Sequence, residues 1–240
     1  MVGHDSVHGT TLDVVDGPSS VRTVVWTVVV GGGSGQRFGR PKQYEALGDE
    51  RVIDRSRRIA ALAGDGVVVV VPAGDAEREG GVAGGSTRSE SVRAGLAAVP
   101  PEATVICVHD AARPLADLEL YRRVVAAVRA GADGAVPGVP VTDTVKLVDD
   151  DGTVVATPDR SRLRAVQTPQ AFRADLLRAV HAAGGEGTDD AELIERAGGR
   201  VVVVDGDAAN RKITRPDDLE WARSVVAAER DGVAAGRSSR

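Results

Sequence analysis

Glycine residues crowd the end of the first apolar segment of this chain. The segment ends at Val30 and is followed by Gly31, Gly32, Gly33 and Gly35. Glycine lets backbone N–H groups come close to a phosphate or a base, and a following turn or helix adds partial positive charge. The glycines do not have the G-x-G-x-x-G spacing, and the chain has no Gly-Lys pair for a Walker loop. The loop therefore predicts a different kind of nucleotide site, with an ordinary glycine-rich turn as the alternative.

Two cations accompany this loop. Arg37 lies inside the glycine run, and Lys42 follows it directly after Pro41. The planar fork of arginine and the point charge of lysine suit triphosphate oxygens and the charge that builds at a phosphorus under attack. The alternative is a pair of solvated surface cations, so other motifs must decide between the two.

Two later loops also carry polar residues after apolar strands. Gly85, Arg88 and Ser91 lie in the segment GGSTRSES, where small hydroxyl residues are first of all helix caps. Asp110 emerges just beyond the apolar strand that ends at Val108, a position from which an acid can hold Mg²⁺ near bound phosphates. We expect His109 to be a packed, hydrogen-bonded side chain, because no second Cys or His stands at zinc-ligand spacing. Without a G-x-S-x-G elbow, Ser-His-Asp acyl chemistry is not predicted.

The elements that must position these loops alternate in kind. Near-continuous β-branched runs predict buried strands at 22–30, 66–71, 103–108, 134–136 and 200–204. Helical stretches separate or follow them at 52–63, 89–98, 117–130, 173–183, 189–197 and 216–228. This order predicts an α/β fold, a doubly wound, mostly parallel sheet with helices on both faces and ligands beyond the carboxyl ends of the strands. Alternating residues at 139–158 around an Asp-Gly turn predict a β-hairpin that projects from the sheet.

Composition narrows the class of protein and its place of action. The net charge of −5 argues against a main task of neutralising nucleic-acid phosphates, and no apolar run is long enough to cross a bilayer. The single cysteine, Cys107, forms no internal disulfide and suits a reducing compartment, so we expect a cytoplasmic protein. We interpret 1–21 as a flexible N-terminal extension without a secretory signal, 22–231 as one domain with 139–161 as its arm, and 232–240 as a flexible tail.

Eight motifs in a fixed order give the strongest signal. They run from about Val24 to Ala228 and read GGGSGQRF, PKQY, GGSTRSESV, VHDAARP, PVTDTVK, DRSRLRAVQTPQAF, GTDDAELIE and NRKITRPDDLEWA. Together they resemble the 2-C-methyl-D-erythritol 4-phosphate cytidylyltransferase family. The resemblance implies a Rossmann-like nucleotidyltransferase that uses Mg²⁺ to join CTP to a polyol phosphate and releases pyrophosphate. It also implies a homodimer in which each projecting arm enters the neighbouring subunit's site.

The resemblance assigns roles to particular residues of this chain. It implies that Arg37, Lys42, Arg160 and Lys212 are the catalytic cations, and that Asp110 holds the metal. The residues implied to bind CTP are Gly31, Gly32, Gly33, Gly35, Gly85, Arg88, Ser91 and Asp110. Those implied to bind the acceptor phosphate are Thr144, Arg160 and Lys212, the first two acting in the partner's pocket. The motifs QTPQ and TDD are interpreted mainly as scaffold.

The chain departs from the family pattern in three places. Gly31 and Gly32 stand where the family usually has alanines, the segment between Arg37 and the Pro-Lys pair is short, and Arg211 occupies a normally apolar position. We expect a more mobile loop, and an Arg211 that either competes for phosphate or points to solvent. Two other functions stay open: a cytidylyltransferase for another polyol phosphate such as ribitol 5-phosphate, and a nucleotide-binding regulatory module without catalysis.

Overall fold

A computed structural model describes the chain over residues 22–33 and 38–238, with side chains as far as residue 230. The predicted extension at 1–21 lies outside these residues, as do Gly35 and Arg37. The strands are β1 (Val25–Val30), β2 (Ala46–Leu47), β3 (Glu50–Arg51), β4 (Gly66–Val71), β5 (Val82–Ala83), β6 (Val105–Asp110), β7 (Gly134–Pro140), β8 (Leu147–Val148), β9 (Val154–Ala156), β10 (Arg164–Val166), β11 (Gln170–Arg173) and β12 (Val201–Asp205). The helices are α1 (Val52–Ala63), α2 (Ala76–Glu79), α3 (Arg88–Ala98), α4 (Leu118–Arg129), α5 (Ala174–Ala182), α6 (Asp190–Arg196) and α7 (Pro216–Ser238).

Within the described residues, the main sheet has eight strands and is mostly parallel. Its order is β10-β7-β11-β6-β1-β4-β5, and β12 also pairs with β7. The pairs β1–β4, β1–β6, β4–β5 and β7–β12 are parallel. Strands β10 and β11 run antiparallel to their neighbours, and β11 lies between β6 and β7. The doubly wound α/β prediction is confirmed, with an antiparallel insertion that the β-branched pattern did not predict.

Helices cover both faces of the sheet because the central strands are apolar on both sides. In β1, Val28 and Val29 are both fully buried and belong to opposite core layers. One layer packs α1 and α4 on the sheet, and the other packs α3, α5 and α6. Cys107 lies in the first layer, where burial raises the pKa of its thiol to about 12. Polar side chains are therefore confined mainly to the strand ends, which is where a site can form.

A hairpin leaves the sheet after β7, as the alternation predicts. Strands β8 and β9 pair only with each other among the described residues. The turn between them is held by Asp149, whose Oδ1 accepts hydrogen bonds from the backbone N–H groups of Asp151 and Thr153. Gly152 has a φ of 78°, which glycine adopts without strain. This hairpin and its flanks form the arm, 139–161.

The last helix packs beside the glycine-rich strand end. Leu219, Ala222 and Val226 of α7 share a small apolar cluster with Phe38 and Leu47. The helix starts at Pro216, as the sequence predicts, and extends past Ala228 to Ser238, through much of the predicted flexible tail. Alanine, valine and arginine in that stretch are compatible with continued helix, and the two glycines there did not end it. No helix among the described residues combines the length and the apolar character needed to cross a membrane.

Candidate active site

A cleft of about 600 Å³ opens at the carboxyl ends of β1 and β6. The parallel strands end at one edge of the sheet, so loops that are distant in sequence meet there. Its lining includes most of the predicted site residues that the structure describes: Gly31, Gly32, Gly33, Lys42, Gly85, Arg88, Ser91, Asp110 and Lys212. Asp110 and Lys212 are 102 residues apart in the sequence, but their side chains are in direct contact in the cleft.

The glycine loop begins as a tight turn against the sheet. The N–H of Gly31 donates to the carbonyl of Val70 at 2.7 Å, which fixes the start of the loop beside β4. A Cβ on Gly31 would lie 3.1 Å from Cδ1 of Ile53, and one on Gly32 would lie 3.3 Å from Oγ of Ser91. Both positions are close-packed without a direct clash. Alanine there is sterically near the limit, and glycine widens the cleft by the volume of a methyl group.

Lys42 reaches the cleft from a short 3₁₀ turn, Lys42–Tyr44. The turn is anchored by Tyr44, whose hydroxyl donates to Oδ2 of Asp75 at 2.7 Å. The guanidinium carbons of Arg51 and Arg78 lie 5.5 and 5.1 Å from the centre of the Tyr44 ring. Burial, followed by the contact with Asp75, raises the pKa of Tyr44 to about 12, so the phenol keeps its proton. The anchored ring fixes the backbone from which Lys42 extends.

The segment ahead of α3 is a capping box, as its hydroxyl residues predict. Thr87 Oγ1 accepts from the N–H of Glu90, and Glu90 Oε2 accepts from the N–H groups of Ser86 and Thr87. Two orphan N–H groups at the helix start are thereby satisfied reciprocally. The box fixes Gly85 and places Arg88 in the first turn of the helix, facing Asp110.

Asp110 lies on the floor of the cleft between two cations. Its Oδ2 accepts from Lys212 Nζ at 2.6 Å, and its Oδ1 lies 3.7 Å from Arg88 Nε. Burial alone would raise the pKa of Asp110, but the charges of Lys212 and Arg88 outweigh it and lower the pKa to about 2. The carboxylate therefore stays ionised at neutral pH and is held in a fixed orientation.

A buried chain continues behind Arg88. Arg88 Nη2 donates to Oδ2 of Asp190 at 2.8 Å, and Oδ1 of Asp190 lies 2.9 Å from Nε2 of His181. Asp190 and His181 are 1% and 2% exposed. Burial opposes the ionised form of Asp190, but hydrogen bonding to His181 and the charge of Arg88 lower its pKa. Arg88 Nη1 is buried and has no hydrogen-bond partner among the described residues. It is therefore placed to donate a hydrogen bond to a ligand in the cleft.

The TDD motif therefore does more than cap a helix. Asp189 is the cap, accepting from the N–H of Glu192 at 3.0 Å, as the sequence predicts. Asp190, in the first turn, was also interpreted as scaffold, yet its carboxylate turns inward to Arg88. Sequence reasoning missed this contact because an acid in the first turn of a helix normally interacts with the helix dipole at the surface. Gln43, 3% exposed and lining the cleft, was missed as well.

His109 is a structural residue, as expected. It is 1% exposed, and its Nδ1 lies 3.0 Å from Oγ1 of Thr168. Burial lowers the pKa of His109 to about 4, so the imidazole is neutral at physiological pH. Arg211, the departure next to Lys212, stacks its guanidinium 4.5 Å from the Trp221 ring centre. It packs on α7 and does not line the cleft.

The arm residues do not join this cleft in the same chain. Thr144 and Arg160 belong to the projecting arm, and Arg160 Nη1 donates to the carbonyl of Thr142 within it. Neither contributes to the lining of the cleft. A single chain thus holds the nucleotide half of the predicted site and carries the predicted acceptor residues of the arm elsewhere.

The donor set limits the kind of metal that these residues fit. Within 22–33 and 38–238, no group of three His, Cys, Asp or Glu side chains forms a metal cage. Mg²⁺ in nucleotide sites takes one or two carboxylates, and phosphate oxygens and water complete its shell. Asp110, a low-pKa carboxylate on the cleft floor, fits that arrangement.

A mostly parallel α/β sheet with a glycine-rich turn, two lysines and an ionised aspartate at its carboxyl edge defines a Rossmann-like nucleotidyltransferase. The family model described as 2-C-methyl-D-erythritol 4-phosphate cytidylyltransferase (IspD) matches residues 25–228. The chain belongs to this family.

Individual relatives agree with the family assignment. The protein of that name from Rhodococcus jostii is 46% identical over 215 residues, covering 84% of this chain and 95% of its own length. The one from Streptomyces coelicolor is 43% identical, covering 89% of this chain and 88% of its own. The crystal structure of the 2-C-methyl-D-erythritol 4-phosphate cytidylyltransferase from Thermus thermophilus has a TM-score of 0.72 at 31% identity, with 83% and 98% of the two chains covered. The 4-diphosphocytidyl-2C-methyl-D-erythritol synthase from Anaerococcus prevotii has a TM-score of 0.76 at 28% identity, with 85% and 99% covered.

Proposed function

We propose that this enzyme transfers CMP from CTP to 2-C-methyl-D-erythritol 4-phosphate, giving 4-diphosphocytidyl-2-C-methyl-D-erythritol and pyrophosphate, a step of isoprenoid precursor synthesis. The observation that carries the proposal is the meeting of Lys42, Arg88, Asp110 and Lys212 at one cleft beside a glycine-lined strand end. A relative named for this reaction is 46% identical over 84% of the chain. The residue types fit a displacement at phosphorus, in which the protein aligns two anions and offsets their charge.

The reaction is a single displacement at the α-phosphorus. An oxygen of the acceptor phosphate forms the new P–O bond, the bond from the α-phosphorus to the bridging oxygen breaks, and its electron pair leaves with pyrophosphate. We propose that the N–H groups of Gly32, Gly33 and Gly35 cradle the nucleotide and that Lys42, with Arg37, offsets the charge on the phosphates. The N–H of Gly31 is already bonded to the carbonyl of Val70, so Gly31 is proposed to contribute by lining the cleft at the start of the turn. Gly85, Arg88 and Ser91 are proposed to hold the cytidine.

Asp110 and Lys212 have separate proposed roles, one toward the metal ion and the other toward the acceptor phosphate. Lys212 is proposed to hold and aim the acceptor phosphate, and its contact with Asp110 keeps the ammonium at the cleft before the acceptor binds. Asp110 is proposed to hold Mg²⁺, which would supply positive charge to the phosphate oxygens when bound. A carboxylate whose pKa is about 2 is a ready ligand because it needs no deprotonation.

The arm is proposed to complete the acceptor site across a homodimer. Thr144 and Arg160 lie outside the cleft of their own chain, and the hairpin between them exposes apolar side chains. A partner that covers the hairpin would bury this surface and place Arg160 at the other subunit's acceptor phosphate. The proposal fits the short β8–β9 pair, which has no other strand neighbour among the described residues.

The decisive experiment offers purified enzyme CTP and Mg²⁺ with each acceptor in turn. We expect pyrophosphate release with 2-C-methyl-D-erythritol 4-phosphate at a kcat/KM far above that with ribitol 5-phosphate. A preference for ribitol 5-phosphate would replace the acceptor assignment while keeping the reaction type. CTP binding without turnover on either acceptor would instead support the regulatory module.

We propose the cytoplasm as the place of action. The support is the single, fully buried Cys107 in a chain with no possible internal disulfide. Fractionation of cells that express the full chain should recover its activity with the cytoplasmic fraction, and recovery with membranes or the medium would contradict the proposal.

A further inference from the structure

Asn210 occupies a central position beside the cleft although no role was predicted for it. Its side chain is fully buried. Nδ2 donates to the backbone carbonyl of Thr168 at 2.8 Å, which joins the loop after β12 to the segment between β10 and β11. The backbone carbonyl of Asn210 accepts from Arg113 Nη1 at 2.8 Å and from Gln167 Nε2 at 3.2 Å. One residue thus ties together three segments that are distant in sequence.

These contacts belong to a ring of hydrogen bonds that includes the ion pair between Asp110 and Lys212. Lys212 Nζ reaches Asp110 directly, at 2.6 Å. A second route leads from the N–H of Asp110 to Oγ1 of Thr168 at 3.0 Å, then from the carbonyl of Thr168 to Asn210, two residues before Lys212. Two sets of contacts therefore fix the position of Lys212 relative to Asp110. One is the ion pair between them, and the other is the series of hydrogen bonds through Thr168 and Asn210.

The loop is also fixed on both sides of Lys212. Ahead of it, Gln167 binds the loop through Asp207, donating from Nε2 to the Asp207 carbonyl and accepting the Asp207 N–H. Behind it, the N–H of Ile213 donates to the carbonyl of Ala112 at 2.8 Å, and Ile213 is 1% exposed. The backbone on both sides of Lys212 is thus fixed, and the tip of its side chain is held by Asp110.

Thr168 also connects this ring to the arm. The chain returns from the arm through Arg160 and β10 to Gln167 and Thr168. Arg113, which also donates to the carbonyl of Asn210, donates from Nη2 to the carbonyl of Val166 in β10 at 3.3 Å and so holds the end of the returning strand. The acceptor side of the cleft and the base of the arm therefore share one set of hydrogen bonds.

We propose that Asn210 is a positioning residue that holds the Lys212 loop at the acceptor side of the cleft through its bond to the Thr168 carbonyl. The proposal rests on the proposed function, because it assigns Asn210 to the use of the acceptor phosphate. Asn210 does not line the cleft itself. Its hydrogen bonds restrict the loop to one position, so that the Lys212 ammonium is already in place when the acceptor phosphate binds.

The test compares Asn210→Ala and Gln167→Leu with Val124→Ala. Val124 is fully buried on α4 and packs in the apolar core, so its truncation is a control for general destabilisation. We expect Asn210→Ala and Gln167→Leu each to lower kcat/KM for the acceptor phosphate by about tenfold or more, and to change the affinity for CTP by less than about twofold. The Val124→Ala control should lower the melting temperature without this split between the two substrates.

Hydrogen exchange gives a second measurement that needs no turnover. In Asn210→Ala we expect faster exchange of the amides at 166–168 and 206–213 than in the wild type, and no such change in Val124→Ala. Equal losses for both substrates, or unchanged exchange at both segments, would overturn the inference. A wild-type enzyme that is inactive with the proposed acceptor would overturn the proposed function instead, and the exchange result would still decide whether Asn210 holds the loop.

Discussion

At the residue scale, Lys42 is the described cation that the proposed chemistry depends on most. Preorganised electrostatic groups of this kind lower the barrier by roughly 2 to 4 kcal/mol, so Lys42→Ala should lower kcat by about thirtyfold to a thousandfold. Steady-state kinetics measures the loss, and circular dichroism should show an unchanged fold. Arg122→Ala, which removes an exposed cation on α4, should leave kcat unchanged. Near-normal turnover of Lys42→Ala would remove it from the catalytic set.

The ion pair between Asp110 and Lys212 also predicts how stability depends on pH. The folded pKa of Asp110, about 2, lies below its ordinary value of 3.8, so the unfolded chain binds the proton more readily. This stabilisation is complete above the ordinary value and is lost as the pH falls through the folded one. From pH 5 to pH 3, the free energy of unfolding should fall by about 1 kcal/mol more in the wild type than in Asp110→Asn. Urea titrations at both pH values measure the difference, and parallel losses in the two proteins would contradict it.

Single residues differ in how far their sequence context predicted them. Asp110 is predicted to lie at the cleft because it follows an apolar strand, and the edge of a parallel sheet gathers such positions. The residues around Arg88 by themselves predict only a helix cap, and its place at the cleft follows from the family resemblance. Asp190 and Asn210 were not predicted, since their importance lies in the direction of buried side chains, which spacing does not encode. Arg211 could not be decided from sequence either, because its stacking on Trp221 depends on where α7 packs.

At the element scale, the capping box of α3 makes Gly85 sensitive to any side chain. A Cβ on Gly85 would lie 2.3 Å from the Cβ of Glu90, which the box holds in place. Gly85→Ala must therefore displace the loop that lines the cleft, and we expect CTP affinity to fall by roughly 1 to 3 kcal/mol. Isothermal titration with CTP measures it. Gly74→Ala, where an added Cβ meets nothing within 4 Å, is the matched control and should bind CTP normally.

The elements themselves were predictable where a local pattern defines them. Helix α1 and strand β4 have the predicted bounds, Val52–Ala63 and Gly66–Val71. Gly64 and Gly66 separate the helix from the strand, and Pro72 follows the β-branched run directly. For the residues of strand β11, Gln170–Arg173, the sequence instead predicts a loop and the start of a helix. Its four residues have no β-branched run, and only pairing with β6 and β7 makes them a strand.

At the scale of the whole molecule, the arm carries an unusual amount of exposed apolar surface. Leu147, Val148, Val154 and Val155 are each between 50% and 62% exposed. Contiguous apolar surface on a projecting hairpin is typical of a protein interaction site. If the arm mediates the proposed dimer, Val155→Glu should give a monomer in light scattering and should lose activity with an intact CTP site. A dimer of normal activity would contradict this role of the arm.

Mixed dimers test whether the arm serves the neighbouring site or its own. Lys42→Ala inactivates the cleft of the chain that carries it, and Arg160→Ala inactivates the arm. The homodimer of either variant should therefore be nearly inactive. With exchanged arms, a mixed dimer has one complete site, made of the intact cleft of the Arg160→Ala chain and the intact arm of the Lys42→Ala chain. Random reassociation makes half of the dimers mixed, so activity should recover to about a quarter of the wild-type value. If each arm served its own chain, no combination would contain a complete site, and the mixture would stay as inactive as its parents.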